Sequence, residues 1–408
     1  MYINETQHLT YCLNVHPGED WDSNFAAIKK YAVEIRRRVS PDKPFGLGMR
    51  LSRIAADELI KPERMAEFKS FLQKHDLYVF TINGFPYGVF HGAVVKESVY
   101  QPDWTTEERV VYTNLLADIL AELLPENVMG SVSSVPGTYV GNINHGKHGK
   151  SGENGETLKA EIGHKGGGCL PVIAENIAKS ANHLAAVEQA KGKHIILAME
   201  PEPDCLFDST ESTIEFFNEV LAESSCMRNL DFDWRRYIGV CLDTCHMSVV
   251  FEDPTESLTR LLASSITVAK VQISAALRAK TGEETAARLT DFAEHVYLHQ
   301  TRLKREDPSI IDHYLDITAA ALTAVAEEKN GEVRVHMHVP LYFEKSGPLR
   351  STVNDLTQEF FRNVSAAEIP HLEIETYTFD VLPTELSNIP IEDSIEREFQ
   401  VVMDKLNR

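Results

Sequence analysis

No run in this sequence approaches the ~18 consecutive apolar residues that a membrane-spanning helix needs, so membrane insertion is not expected. The start, MYINETQHLTYCLNVHPGED, lacks a basic segment followed by an apolar stretch, and no secretory signal is read there. Positive charge is scarce. Lys and Arg number 40 against 61 Asp and Glu, for a formal net charge of −21. Such a field repels phosphate backbones and anionic surfaces, which argues against nucleic acid as a partner. The six cysteines of the 408 residues have no CxxC spacing. This usage fits reduced thiols in a cytoplasmic setting, with Cys241 and Cys245 as packing residues rather than nucleophiles. No internal repeat of fixed short period is present.

What the chain does have is 43% hydrophobic residues, laid out as short apolar runs alternating with stretches of helical periodicity. That alternation is the mark of a parallel α/β fold. The runs fall at 9–15, 45–52, 77–84, 128–135, 194–202, 237–244, 268–274, 333–339 and 371–379. An α/β barrel with eight strands accommodates such a length as one domain. We therefore expect a (β/α)8 TIM barrel over 1–385 and a C-terminal helix over 386–408, where Ile395, Phe399, Val402, Met403 and Leu406 recur at helical spacing. Nine runs for eight places leave one extra strand, and 128–135 and 268–274 are the weakest. Long connections at about 84–104 and 136–168 would leave the C-terminal rim of the barrel, where active sites are built and lids are found. The second holds ten of the chain's 22 glycines. A further insertion is expected at about 276–310, with its own short strand at VYLHQ.

Polar residues recur where the apolar runs end: Glu200 and Glu202 in LAMEPEPD, Asp243 and His246 in CLDTCHMS, Lys270 and Gln272 in AKVQIS. His336 and His338 in RVHMHVP and Glu373 and Glu375 in LEIETYTF follow the same pattern. Alternation puts each i, i+2 pair on one face of a strand. Carboxylates and imidazoles at the ends of several buried strands are costly singly, and a shared divalent metal explains them together. Glu202, between two prolines, reads more simply as a rim residue. His16 either lines the site or caps a turn, Lys270 is open to a buried ion pair, and His299 reads as structural. The HxH of His336 and His338 supplies two ligands, one ligand and a substrate contact, or two core histidines.

CLDTCHMS resembles the strand-end motif of the xylose isomerase-like sugar isomerase and epimerase barrels. More closely, HLTYCLNVHPGE, INGFPYGVFHG, MEPEPDCLFDS, CLDTCHMSVVFED, VHMHVPLYFE and LEIETYTFDVLP make the whole chain similar to the EboE proteins, a branch of that superfamily found in bacterial metabolite-processing clusters. The resemblance implies a xylose isomerase-like barrel with one divalent metal ion, Zn, Mn or Mg. It implies Glu200, Asp243 and Glu375 as ligands and His246 as a substrate contact. The seventh-strand ligand falls on Gln272, or on His336 or His338 if 333–339 is the seventh strand. A Gln site would suit a hard, loosely held ion, and a His site Zn²⁺ or Mn²⁺. Arg278, His16 and His91 are the further substrate-binding candidates. The implied activity is isomerase or epimerase chemistry on a sugar-like or polyhydroxylated hydroxy-carbonyl metabolite, with Glu200 and Glu375 moving the proton through an enediolate. A metal-dependent hydrolase or lyase, or a metabolite-binding escort protein, would use the same residues. The expected partner is a small-molecule metabolite, and a homo-oligomer is compatible with the sequence.

Overall fold

Eight short strands, each buried on both faces, form one parallel sheet. They are β1 (His8–Tyr11), β2 (Phe45–Arg50), β3 (Leu77–Asn83), β4 (Gly130–Ser134), β5 (Ile195–Met199), β6 (Ile238–Asp243), β7 (Val268–Ile273) and, after an insertion, β14 (His371–Ile374). Pairing runs β2-β3-β4-β5-β6-β7-β14-β1, and a parallel bridge from Cys12 to Gly48 brings β1 against β2. The sheet thus closes on itself as a (β/α)8 barrel, which removes its edges. The computed structural model describes residues 1–85, 96–140, 168–293, 297–379, 382 and 388–407.

The helices outside the barrel start where the sequence offers caps. Asp20, Ser52, Asp253 and Thr357 each accept a hydrogen bond from an amide in the first turn of the helix that follows. Pro254 follows Asp253 directly, in the position where a missing N–H costs nothing. Gly192, at φ +67°, ends the long helix Leu170–Lys191 in the left-handed region. The C-terminal helix, Ile391–Leu406, lays Ile395, Phe399 and Val402 against the barrel, with Phe399 packed on Tyr11 and Phe45.

Between β7 and β14 the chain builds a second sheet. Its strands are β8 (Leu277–Lys280), β9 (Thr301–Lys304), β10 (Ile311–Tyr314), β11 (Glu332–Val335), β12 (Lys345–Ser346) and β13 (Leu349–Ser351). All are antiparallel, in the order β10-β9-β11-β8-β13-β12. The ninth apolar run, 333–339, therefore begins in a strand of this insertion and leaves it after Val335, whereas 128–135 and 268–274 both supply barrel strands. The strand near VYLHQ begins just after it, at Thr301. Arg302, fully buried on β9, pairs with Asp204 in the segment after β5 at 2.5 Å and seats the insertion on the barrel rim.

The barrel interior is unusually polar. Lys270 and Glu373 form a fully buried ion pair at 2.5 Å, and Asn83 donates to Glu373 at 3.0 Å while accepting from Lys270 at 2.9 Å. Burial works against the charge of Lys270, but the Glu373 carboxylate more than offsets it and raises the pKa above the ordinary value. Gly48 is what lets Glu373 cross the barrel: a Cβ there would lie 1.8 Å from Glu373 Oε1.

Candidate functional site

At the C-terminal rim the ends of β5, β6 and β14 bring three carboxylates together. Glu200, Asp243 and Glu375 each offer an oxygen, all within 4.8 Å of one another, and all three residues are buried. Glu200 lies one residue past β5, its amide tied to the Ser134 carbonyl at 2.9 Å. Glu375 lies one residue past β14, with Asn14 donating to its Oε1 at 2.8 Å. Asp243 ends β6 and also caps the short helix Thr244–Val249. Its Oδ1 accepts from the His246 amide at 2.8 Å and the Ser274 hydroxyl at 2.9 Å, which leaves Oδ2 for something else.

The insertion adds imidazoles. His336 and His338 follow β11 directly, and with His246 they form a cluster of three rings. Each ring has its Nδ1 committed. His338 donates to the Glu375 carbonyl and His246 to the Pro201 carbonyl, both at 2.9 Å. His336 donates to Gln300 Oε1 at 2.7 Å, because the Gln300 amide nitrogen is itself spent on Tyr100 and the Pro203 carbonyl. Three Nε2 lone pairs are thereby fixed toward the interior. Those of His336 and His338 are 3.3 Å apart, an arrangement that repels unless a proton or a cation lies near both.

Two buried carboxylate oxygens, Glu200 Oε2 and Asp243 Oδ2, have no hydrogen-bond partner among the described residues. Buried carboxylate oxygens gathered beside imidazole nitrogens are the kind of donor set that can hold a divalent cation. Glu200, Asp243 and Glu375 fit one ion, and Asp243, His246 and His338 also converge within 4.8 Å. Glu202, His246 and His336, all buried, form a further such group. In the metal-free protein, burial followed by the charges of neighbouring carboxylates pushes Glu200 and Glu375 well above the usual carboxylate range. Burial takes Glu202 to about 8, although the Tyr100 hydroxyl donates to it at 2.7 Å. Burial also acts against the charge of Asp243, but the His246 and His338 rings and its two hydrogen bonds hold it below its ordinary value. His246 is lowered to about 4 by burial, so at neutral pH its lone pair is available.

Above these groups opens a cavity of about 540 Å³, its solvent-facing mouth included, a size that suits a small molecule. Aromatic side chains wall it among the described residues: Phe85, Tyr100, Tyr297 and Tyr377. Lys96 reaches it as well, held by the Tyr297 carbonyl and Asp316 at 2.8 and 2.6 Å.

Not every candidate from the sequence converges here. Gln272 is buried one layer below, accepting from the Cys241 thiol at 3.0 Å and facing Asn83. Arg278 lies on β8 and pairs with Asp355 at 3.1 Å. His16 stacks on Tyr31 and meets the Tyr11 hydroxyl at 3.0 Å, behind β1. His91 lies outside the described residues. Conversely Asn14, Tyr100 and Gln300 line the cavity without having been singled out. Asn14 carried a readable signal, since it continues the inward alternation of Thr10 and Cys12. The tyrosine and the glutamine carried none.

No protein-family model matches the chain, and no curated protein does. Solved structures do. A D-tagatose 3-epimerase-like protein is 10% identical, with 98% of this chain and 97% of that one covered and a TM-score of 0.50. A xylose isomerase-like TIM barrel protein from Mycobacterium smegmatis in complex with magnesium is 11% identical over 100% of both chains, with a TM-score of 0.49. The IOLI protein with a binding zinc atom is 13% identical over 98% of both, with a TM-score of 0.45. At such identities likeness speaks for architecture alone, and that architecture is the (β/α)8 barrel.

Proposed function

We propose that this chain is a metal-dependent isomerase or epimerase acting on a sugar-like or polyhydroxylated hydroxy-carbonyl metabolite. The observation that carries the reading is the meeting of Glu200, Asp243 and Glu375 at the rim, with Glu200 Oε2 and Asp243 Oδ2 buried and unpaired among the described residues. A divalent ion bound there would polarise a substrate carbonyl and favour loss of the neighbouring proton. The chain's own groups supply the rest. Glu200 and Glu375 approach the ligand position from β5 and β14, so one carboxylate removes the proton beside the carbonyl and the other returns it across an enediolate. His246, with its Nδ1 anchored, presents Nε2 to a substrate oxygen or to the ion. The aromatic walls hold the carbon skeleton and exclude water.

Imidazole from His338 next to Asp243 favours Zn²⁺ or Mn²⁺ over Mg²⁺. A second reading, a hydrolase or lyase, is favoured by one observation: Glu202, raised to about 8, is a proton donor beside His246 and His336. The wider proposal includes membership of the EboE branch, a bacterial secondary-metabolite pathway and a cytoplasmic setting. The test is solvent deuterium. With Zn²⁺- or Mn²⁺-loaded protein and a panel of ketoses and hydroxy-ketones, isomerase chemistry washes deuterium into the carbon next to the carbonyl, and Glu375→Gln abolishes this. Turnover without exchange, or a Glu375→Gln enzyme with undiminished turnover, overturns the proton-transfer scheme.

A further inference from the structure

The C-terminal helix carries an acid where its apolar stripe should be continuous. Ile395, Phe399 and Val402 face the barrel, and Glu398 lies among them, 2% exposed. Burying a carboxyl group there costs free energy that a leucine would not. Its hydrogen bonds show what the acid does. Glu398 Oε1 accepts from the Leu341 amide at 3.0 Å and from the Thr376 hydroxyl at 2.6 Å. Leu341 lies three residues beyond His338, and Thr376 follows Glu375. One oxygen atom therefore joins the two segments that bring an imidazole and a carboxylate into the site.

Two further bonds tighten the same junction. The Thr378 hydroxyl donates to the His338 carbonyl, and His338 Nδ1 donates to the Glu375 carbonyl. The second bond commits Nδ1 and so sets the His338 tautomer, leaving Nε2 beside that of His336 at 3.3 Å. It survives only while the loop after β11 and the segment after β14 keep their spacing. Ser394, one helical turn before Glu398, holds the Tyr342 hydroxyl at 2.8 Å and pins the same loop to the same helix.

We infer that Glu398 is a positioning residue: its carboxyl group clamps the His338 and Glu375 segments together and fixes the ring orientation of His338. This rests on the reading of those two residues as members of the site. Glu398 touches no reacting atom. It acts from behind, through Leu341 and Thr376.

The test reads the ring first and the ion second. In metal-free protein, ¹H–¹⁵N spectra of the imidazoles, with His338 assigned by its loss in His338→Gln, should show His338 as the Nδ1–H tautomer. Glu398→Ala should turn that signal into a mixture of tautomers, and Glu398→Gln, which keeps an acceptor oxygen, should restore it. Zn²⁺ affinity should fall about 10-fold or more in Glu398→Ala, the range for removing a group that orients a ligand, and recover in Glu398→Gln. Arg38→Ala is the control. It breaks the Arg38 contacts to Asp393 and Glu396 on the outer face of this helix, and should lower stability with the His338 tautomer unchanged. The clamp is overturned if Glu398→Ala keeps the wild-type tautomer, or if Arg38→Ala scrambles it equally. If the wild-type protein takes up no divalent ion, the reading of the site fails, and the tautomer result alone decides the clamp.

Discussion

Asp243 divides its work between its two oxygens. Oδ1 caps a helix and takes the Ser274 hydroxyl, while Oδ2 is buried and open to a cation. Asp243→Asn keeps the cap acceptor and removes the charge, so Zn²⁺ affinity is expected to fall by more than about 100-fold, above the range for groups that only orient ligands; calorimetric titration measures it. Lys270 and Glu373 make a separate prediction. Lys270→Met strands a carboxylate in the barrel and should cost roughly 3–5 kcal/mol in denaturant unfolding. Removing both charges with Lys270→Met and Glu373→Leu should recover most of that loss. The carboxylates were legible in the sequence because strand alternation puts Glu200, Asp243 and Glu375 at strand ends, where a lone charge needs a reason. Gln300 was not. A glutamine reveals nothing until the His336 ring it steers is seen beside it.

The barrel strands were legible as elements because each is an apolar run of the right length between helical stretches. β7 looked weak for a physical reason: Lys270 and Gln272 face an interior that other barrels fill with aliphatic side chains. The run 333–339 looked like a barrel strand for the opposite reason. Val333 and Val335 alternate with Glu332 and Arg334 in an antiparallel strand as well as they would in a barrel, and alternation carries no topology. That insertion is held to the rim by the buried Arg302–Asp204 pair. Arg302→Leu leaves Asp204 buried without its guanidinium, and the insertion should open more readily. Hydrogen exchange should rise in β9 and β11 while β4 and β5 keep their protection. Uniformly faster exchange would mean that the two sheets unfold as one unit.

At the scale of the whole molecule, a net charge of −21 makes the folded state repel itself. Monovalent salt should therefore raise the Tm of the metal-free protein as it screens that field. The pH dependence has a worked sign at Glu398, which burial raises from 4.5 to about 7 even though Thr376 and Leu341 donate to it. A folded-state pKa above the unfolded one gives stability that is whole below about 4.5 and is lost as pH climbs to about 7. His246, lowered from 6.5 to about 4, acts in the reverse sense and adds stability as pH climbs through that window. Glu398→Gln removes the first slope and leaves the second. Its unfolding free energy should rise, relative to wild type, by about 3 kcal/mol between pH 4.5 and 7.

The carboxylates stand at the ends of closed-barrel strands, whereas His336 and His338 arrive on an inserted sheet held to the rim by side-chain contacts. The two halves of the donor set thus obey different equilibria. When the insertion lifts, the carboxylates and His246 persist while His336 and His338 depart, so apparent affinity for an ion that needs those two imidazoles would equal the intrinsic value scaled by the docked fraction. An oxygen-loving ion such as Mg²⁺ escapes that scaling. Ion preference in this protein is then a thermometer of docking: warming or mild urea, applied below global unfolding, should erode selectivity for Zn²⁺ over Mg²⁺ before it erodes the barrel.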